Sequence, residues 1–402
     1  MYTSLILQAL SVIMVVSATI LVVKGMLHIR SRAEKGVRRT IDVGAVSFVV
    51  AAAVYLFAGI PYPLSFAMPP TMHAMTMDMR PASLPIPAVF QFLANRNRFE
   101  KVADIGQDPN GVPVPTGRKE PANIKVSLRA KEVISEVAPG ILFNYWTYDG
   151  RVPGPMLRVR EGDTVELSLT NDASSLHMHN IDLHAVTGPG GGAVLTNVNP
   201  GETKTFSWLA MNPGLYVYHC ATSNVSTHNS HGQYGLILVE PKEGLSTVDK
   251  EFYLMQGELY TAGGIGKKGL VAFNSEGLID GVPTYITFNG KVEQAPRMKA
   301  KVGDRIRIYV GNGGVNLISS FHAIGEIFDV VYPEAAMGEG SAIFKNVQTT
   351  SIPAGGAAIV EFTVDVPGKY TLVDHALARM NKGAWAILEI EGEPHPEILS
   401  AK

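Results

Sequence analysis

Cys220 is the only cysteine in the 402-residue chain, and it follows a histidine in Tyr216-Val217-Tyr218-His219-Cys220-Ala221. His177, His179 and His184 lie upstream of it, and His228 and His231 downstream. A lone cysteine cannot form an internal disulfide, so it packs, binds metal or acts as a nucleophile. The imidazoles around it favour metal. A thiolate, two imidazoles and a weak axial ligand on a rigid scaffold make a blue-copper electron-transfer site. His179, Cys220 and His228 fit the strong ligands, and Gln233 falls at the axial place; no methionine lies between Cys220 and Met255. A glutamine carbonyl is a harder donor than a thioether, so it favours Cu(II) and lowers the reduction potential. His231 rivals His228 in the same loop; His228 is preferred on spacing, with Gln233 five residues on.

Strand alternation points His219 to the opposite side from Cys220. His219 can then hold a second metal about a dozen ångströms away, the reach of two side chains and the backbone between them. His184, five residues after His179, can join it. Three nitrogens with an open position make a catalytic metal site, which needs a third imidazole. His375 is the candidate, and a subunit interface is a plausible place for 184, 219 and 375 to meet.

These side chains need a scaffold. From Asn123 onward, short alternating runs such as Val165-Glu166-Leu167-Ser168-Leu169 are punctuated by Gly, Pro, Asn and Asp, which predicts a β-sandwich. The pattern repeats. Glu161-Gly162-Asp163 through Asn171 matches Val302-Gly303-Asp304 through Asn312, and Pro213-Gly214-Leu215-Tyr216 matches Pro367-Gly368-Lys369-Tyr370. Two homologous sandwiches are expected, over 123–241 and 250–393, joined near 241–244. Only the first holds the cysteine.

Charged residues make up 17% of the chain, below the roughly 25% of soluble domains. The deficit is concentrated near the start, where 3–23 and 43–60 are uncharged and apolar, each about long enough to cross a bilayer as a helix. Between them Lys24, Arg30, Arg32, Lys35, Arg38 and Arg39 stand against Glu34. A short basic loop at 24–40 stays cytoplasmic, so a transmembrane hairpin over 1–60 puts everything after it in the periplasm or outside. A cleaved signal peptide fits less well, because no basic segment precedes the first run. The net charge of -2 gives no electrostatic case for nucleic acid. Residues 61–122 read as a Pro/Met-rich linker. A helix within it over 88–102 is either a packing element or an interfacial one resting on lipid or the quinone pool. The Met72–Met79 cluster is either a tether or a collector of Cu(I).

Taken together, His179 through His184, Thr187 through Ala193, Asn199 through Glu202, Tyr218-His219-Cys220-Ala221 and Phe321-His322-Ala323-Ile324-Gly325 resemble copper-containing nitrite reductases over about 123–393. The resemblance implies an all-β fold of two tandem cupredoxin-like Greek-key sandwiches, here behind a transmembrane α-helical hairpin. It implies a homotrimer with one type 1 copper on His179, Cys220 and His228 and one type 2 copper per subunit. The type 2 ligands are then His184 and His219 of one subunit and His375 of the next. It makes Asp182 and His322 the active-site acid–base pair and Ile324 the apolar residue crowding nitrite. The activity implied is one-electron reduction of nitrite to nitric oxide, in the bacterial inner membrane with the catalytic domains periplasmic.

The chain departs from that family in Gln233, which stands where methionine is usual, in a shorter 220–228 loop, and in the double anchor. The anchor, the linker and Gln233 suggest a quinol as electron donor, with a small periplasmic redox protein as the alternative. Two other functions compete: a two-domain multicopper oxidase, and a non-catalytic tethered copper or electron carrier. The oxidase needs a histidine on each side of the cysteine, and residue 221 is alanine.

Overall fold

The computed structural model describes residues 2–58, 97, 99–292 and 296–401. These fall into a helical unit at the start of the chain and a β unit from Phe99 onward.

The helical unit consists of α1 (Tyr2–Arg32) and α2 (Lys35–Ala58). The expected basic loop over 24–40 is not a loop. Its residues form the end of one helix and the start of the next, leaving only Ala33 and Glu34 as the bend. Lysine and arginine are good helix formers, so a basic run without proline need not break a helix. Arg30 and Arg32 occupy the last turn of α1, where cations suit the negative end of the helix dipole. Arg30 also pairs with Asp42 of α2. Among the described residues one stretch, Ile13–Arg32, is long and apolar enough to cross a membrane. Most of the 61–122 linker that was expected to be irregular lies outside the described residues, including Met72–Met79. So does most of the expected 88–102 helix; its described end is not helical, because Glu100–Lys101 pairs as a short parallel strand with Val133 and Ile134, and Phe99 before it is buried.

The β unit holds two sandwiches. In the first, a sheet with Ile141–Tyr148, Asn123–Ala138, Thr164–Asn171 and Thr203–Leu209 side by side faces a sheet of Leu157–Arg160, Tyr234–Glu240, Gly214–His219 and Asp182–Leu183. The second repeats the plan. Its long sheet runs Tyr285–Phe288, Lys250–Leu259, Arg305–Asn312, Ala357–Thr363, Phe328–Tyr332 and Phe344–Val347. Its facing sheet includes Gly368–Asp374 beside Ser319–Ile324. The repeat extends to single hydrogen bonds. Asp163 and Asp304 each accept the backbone N–H three residues back, both at 2.8 Å. The glycine before each has positive φ, 92° and 87°, which a side chain would strain.

Each sandwich has its own apolar core, and a third cluster joins them, with Phe143, Tyr145, Leu236 and Leu238 against Tyr253, Met255 and Tyr309. Beside it runs a buried ionic network. Arg158 binds Glu240 and Glu251, and Arg307 binds Glu251 and Glu361. Arg307 also donates to the Ser246 carbonyl at 2.7 Å. Removing one member strands a buried charge. We expect Arg307→Ala to lower stability by about 3–5 kcal/mol, read from denaturant unfolding of copper-free protein; a loss near zero would mean that the network is solvated.

Candidate metal centres

The first expected ligand group comes together in the first sandwich, and His184 and His219 of the second gather beside it with Asp182. Cys220 directly follows strand Gly214–His219, and its N–H donates to the Gln233 carbonyl at 3.1 Å. His179 is held by a two-way backbone bridge to Val198. His228 sits on the short helix Val225–Ser230. Their donor atoms converge: Cys220 Sγ lies 3.3 Å from His228 Nδ1, which lies 3.3 Å from both His179 Nδ1 and Gln233 Oε1. Cys220, His179 and Gln233 are fully buried and His228 nearly so. Burial alone would push the Cys220 thiol up; His228 and His179 beside it instead hold it well below the ordinary thiol range. Burial likewise opposes charge on His179, but Cys220 and Glu132 outweigh it and raise His179 to about 9. A buried thiolate ringed by two imidazoles and a carbonyl fits a soft-to-borderline cation such as copper.

His231 does not join the group. Its Nδ1 donates to the Thr227 carbonyl at 2.7 Å, and its ring stacks on Trp146 at 4.2 Å. Burial pulls it down to about 3. Asn180 closes the thiol side, its backbone N–H lying 3.5 Å from Cys220 Sγ and its side-chain Oδ1 accepting the Ala221 N–H at 2.7 Å.

The second group is Asp182, His184 and His219, whose ligand atoms lie within 4.8 Å of one another. Asp182 faces His219 across paired strands. The Nε2 atoms of His184 and His219 are 3.1 Å apart. His219 Nδ1 donates to the Cys220 carbonyl at 2.9 Å, so in the neutral ring Nε2 presents its lone pair. His184 is hydrogen-bonded to the Gly355 backbone, and burial and His219 lower its proton affinity. Two imidazole nitrogens aimed at one point, with a carboxylate alongside, fit a bound cation.

His375 is not in this group among the described residues. Its backbone N–H donates to the Ser320 carbonyl at 2.7 Å, and its ring lies 5.2 Å from that of His322. His322 Nδ1 donates to the Gln348 carbonyl. Ile324, two residues on along the same strand, is 45% exposed. One face of the second sandwich therefore offers His322, Ile324 and His375.

Sequence reasoning missed several supporting residues. Gly191 has φ 53°, and a Cβ there would meet Asp182 Oδ1 at 1.8 Å, so the glycine run is what lets the loop close on Asp182. The run was visible in the sequence, but its target was not. Trp146, whose ring is 4.5 Å from His228 and 4.3 Å from His177, gave no signal beyond being aromatic in a strand.

A double sandwich carrying a Cys–His₂ group one residue away from a His₂–Asp group defines a copper protein of the cupredoxin type. The sequence model of the multicopper oxidase family matches residues 135–244. The copper-containing nitrite reductase of Neisseria meningitidis serogroup A is 53% identical over 72% of this chain and 75% of its own. That of Neorhizobium galegae is 31% identical over 71% and 79%. Among solved structures, the copper nitrite reductase of Nitrosomonas europaea is 34% identical, with a TM-score of 0.60 over 68% of this chain and 96% of its own. The chain belongs to the copper-containing nitrite reductase family.

Proposed function

We propose that the chain is a membrane-anchored enzyme that reduces nitrite with one electron and two protons to nitric oxide and water. The observation carrying this reading is that adjacent residues, Cys220 and His219, serve two separate ligand groups. His179, Cys220, His228 and axial Gln233 are assigned to type 1 copper. His184 and His219 are assigned to type 2 copper, with His375 of a neighbouring subunit in a homotrimer as the third imidazole. Copper bound at the two groups supplies one-electron redox chemistry and a Lewis-acidic seat for a nitrite oxygen. The chain supplies the rest. The peptide between Cys220 and His219 would be the covalent bridge for the electron, and the hydrogen bond from His219 Nδ1 to the Cys220 carbonyl is a second link beside it. Asp182 holds a nitrite oxygen and donates the first proton, and His322 relays the second. Ile324 crowds the substrate.

The domain limits proposed are 123–241 and 250–393. The helical unit is assigned as a double-spanning anchor in the bacterial inner membrane, with the sandwiches in the periplasm. Its exposed Ile13, Met14, Leu21 and Val46 suit lipid. A quinol or a small periplasmic redox protein is the donor, and Gln233 is consistent with a low-potential type 1 site. Full-length protein in membranes, given nitrite and a quinol without oxygen, is expected to release nitric oxide and to contain one copper of each type per chain. A single copper per chain and no nitric oxide with any donor would leave only a tethered carrier.

A further inference from the structure

Glu132 is fully buried on strand Asn123–Ala138, and the chemistry above does not use it. Its Oε1 accepts the backbone N–H groups of Leu176 and His177, both at 2.8 Å, and Nδ1 of His177 at 3.0 Å. The same oxygen lies 3.4 Å from His179 Nε2, on the far edge of the ring whose Nδ1 faces His228. At that separation His179 Nε2 makes no hydrogen bond, so the contact is one of charge.

The second sandwich supplies an internal comparison. Asn171 and Asn312 end the matched strands, and each donates through Nδ2 to a loop carbonyl, that of His177 at 2.9 Å and that of Leu317 at 2.8 Å. Asn171 pairs with Ala130, and Asn312 with Gln256, so Glu258 is the counterpart of Glu132. Glu258 also accepts two consecutive loop N–H groups, from Asn316 and Leu317. Holding the loop therefore belongs to both copies and needs no metal. The two copies differ in the remaining partner: Glu258 accepts the Tyr260 hydroxyl, whereas Glu132 is bonded to the His177 ring and lies against that of His179.

We propose that Glu132 is a positioning residue of the type 1 centre, fixing the His179 ring and, as a buried negative charge behind a ligand, holding the copper potential down. This rests on His179 being a type 1 ligand. A fixed charge in a water-excluded site acts strongly over such a distance, and carboxylates behind ligating histidines raise their donor strength.

The test uses full-length, copper-loaded protein and reads the thiolate-to-copper absorption band and the midpoint potential by redox titration. Glu132→Gln keeps an acceptor for the loop but loses the charge, and is expected to raise the potential. Glu258→Gln is expected to leave it unchanged. His177→Phe removes the competing imidazole from Oε1 and is expected to lower it. Equal potentials in Glu132→Gln and Glu258→Gln would reduce Glu132 to a loop anchor and overturn the proposal. Should Glu132→Gln not accumulate, an unchanged or raised potential in His177→Phe overturns it alone. A wild-type protein without the band would overturn the ligand assignment as well, whereas an unchanged potential with the band intact overturns only the role of Glu132.

Discussion

Cys220→Ala is expected to bleach the protein, remove the type 1 copper, keep the type 2 copper and bring donor-driven nitric oxide formation to background. The thiolate is the one soft ligand in the group, and neither His179, His228 nor Gln233 can replace its charge-transfer band or its hold on Cu(I). His219 faces away from the cysteine and pairs with His184 at 3.1 Å, so the second group keeps its donors. The substitution deletes one buried heavy atom, which by the usual cost of a small core deletion is about 1 kcal/mol, well short of unfolding a domain. Copper analysis, the visible spectrum and anaerobic nitric oxide detection on one sample check all three parts. Sustained turnover by colourless protein would show that electrons reach the second group by another route.

The ligand groups were legible because their chemistry is written in adjacent residues. A histidine next to a cysteine in a strand must point the other way, and the structure places the two in different clusters. Thr164–Asn171 was legible for a similar reason, since its burial alternates along the strand as its sequence does. Lys250–Leu259 shows the limit. Eight consecutive residues are buried there, polar Gln256 and Glu258 among them, because one side faces its own core and the other the first sandwich. Alternation cannot report burial on both faces.

What remained hidden depended on distant partners. The donors around Glu132 come from a loop more than forty residues later, so a glutamate beside Val133 and Ile134 carried no local sign of its purpose. Which of His228 and His231 lies beside the thiol depends on where one helical turn aims each ring, with Trp146 and Thr227 holding His231 away from it. The basic segment was misjudged because charge was read as loop, whereas helix propensity and the helix dipole both favour those side chains where they lie.

Asp182→Asn should cut turnover by about 10²–10⁴-fold, the usual worth of a general acid. Asparagine matches the carboxylate in size and can still donate a hydrogen bond to a nitrite oxygen, so substrate affinity should suffer less than kcat. It cannot deliver a proton, and nitrite cannot lose an oxygen as water without one. The close fit of Gly191 argues against a larger replacement, since a Cβ at 191 already meets Oδ1 at 1.8 Å and any side chain longer than aspartate would push on the same loop. The type 1 band should be untouched, because Asp182 belongs to the other group, and copper content should hold through His184 and His219. Separate measurement of kcat and KM for nitrite, with the pH profile of each, distinguishes the acid from a mere spacer. A variant with wild-type kcat and an unaltered profile would remove Asp182 from the proton path and leave His322 as the remaining candidate on this chain.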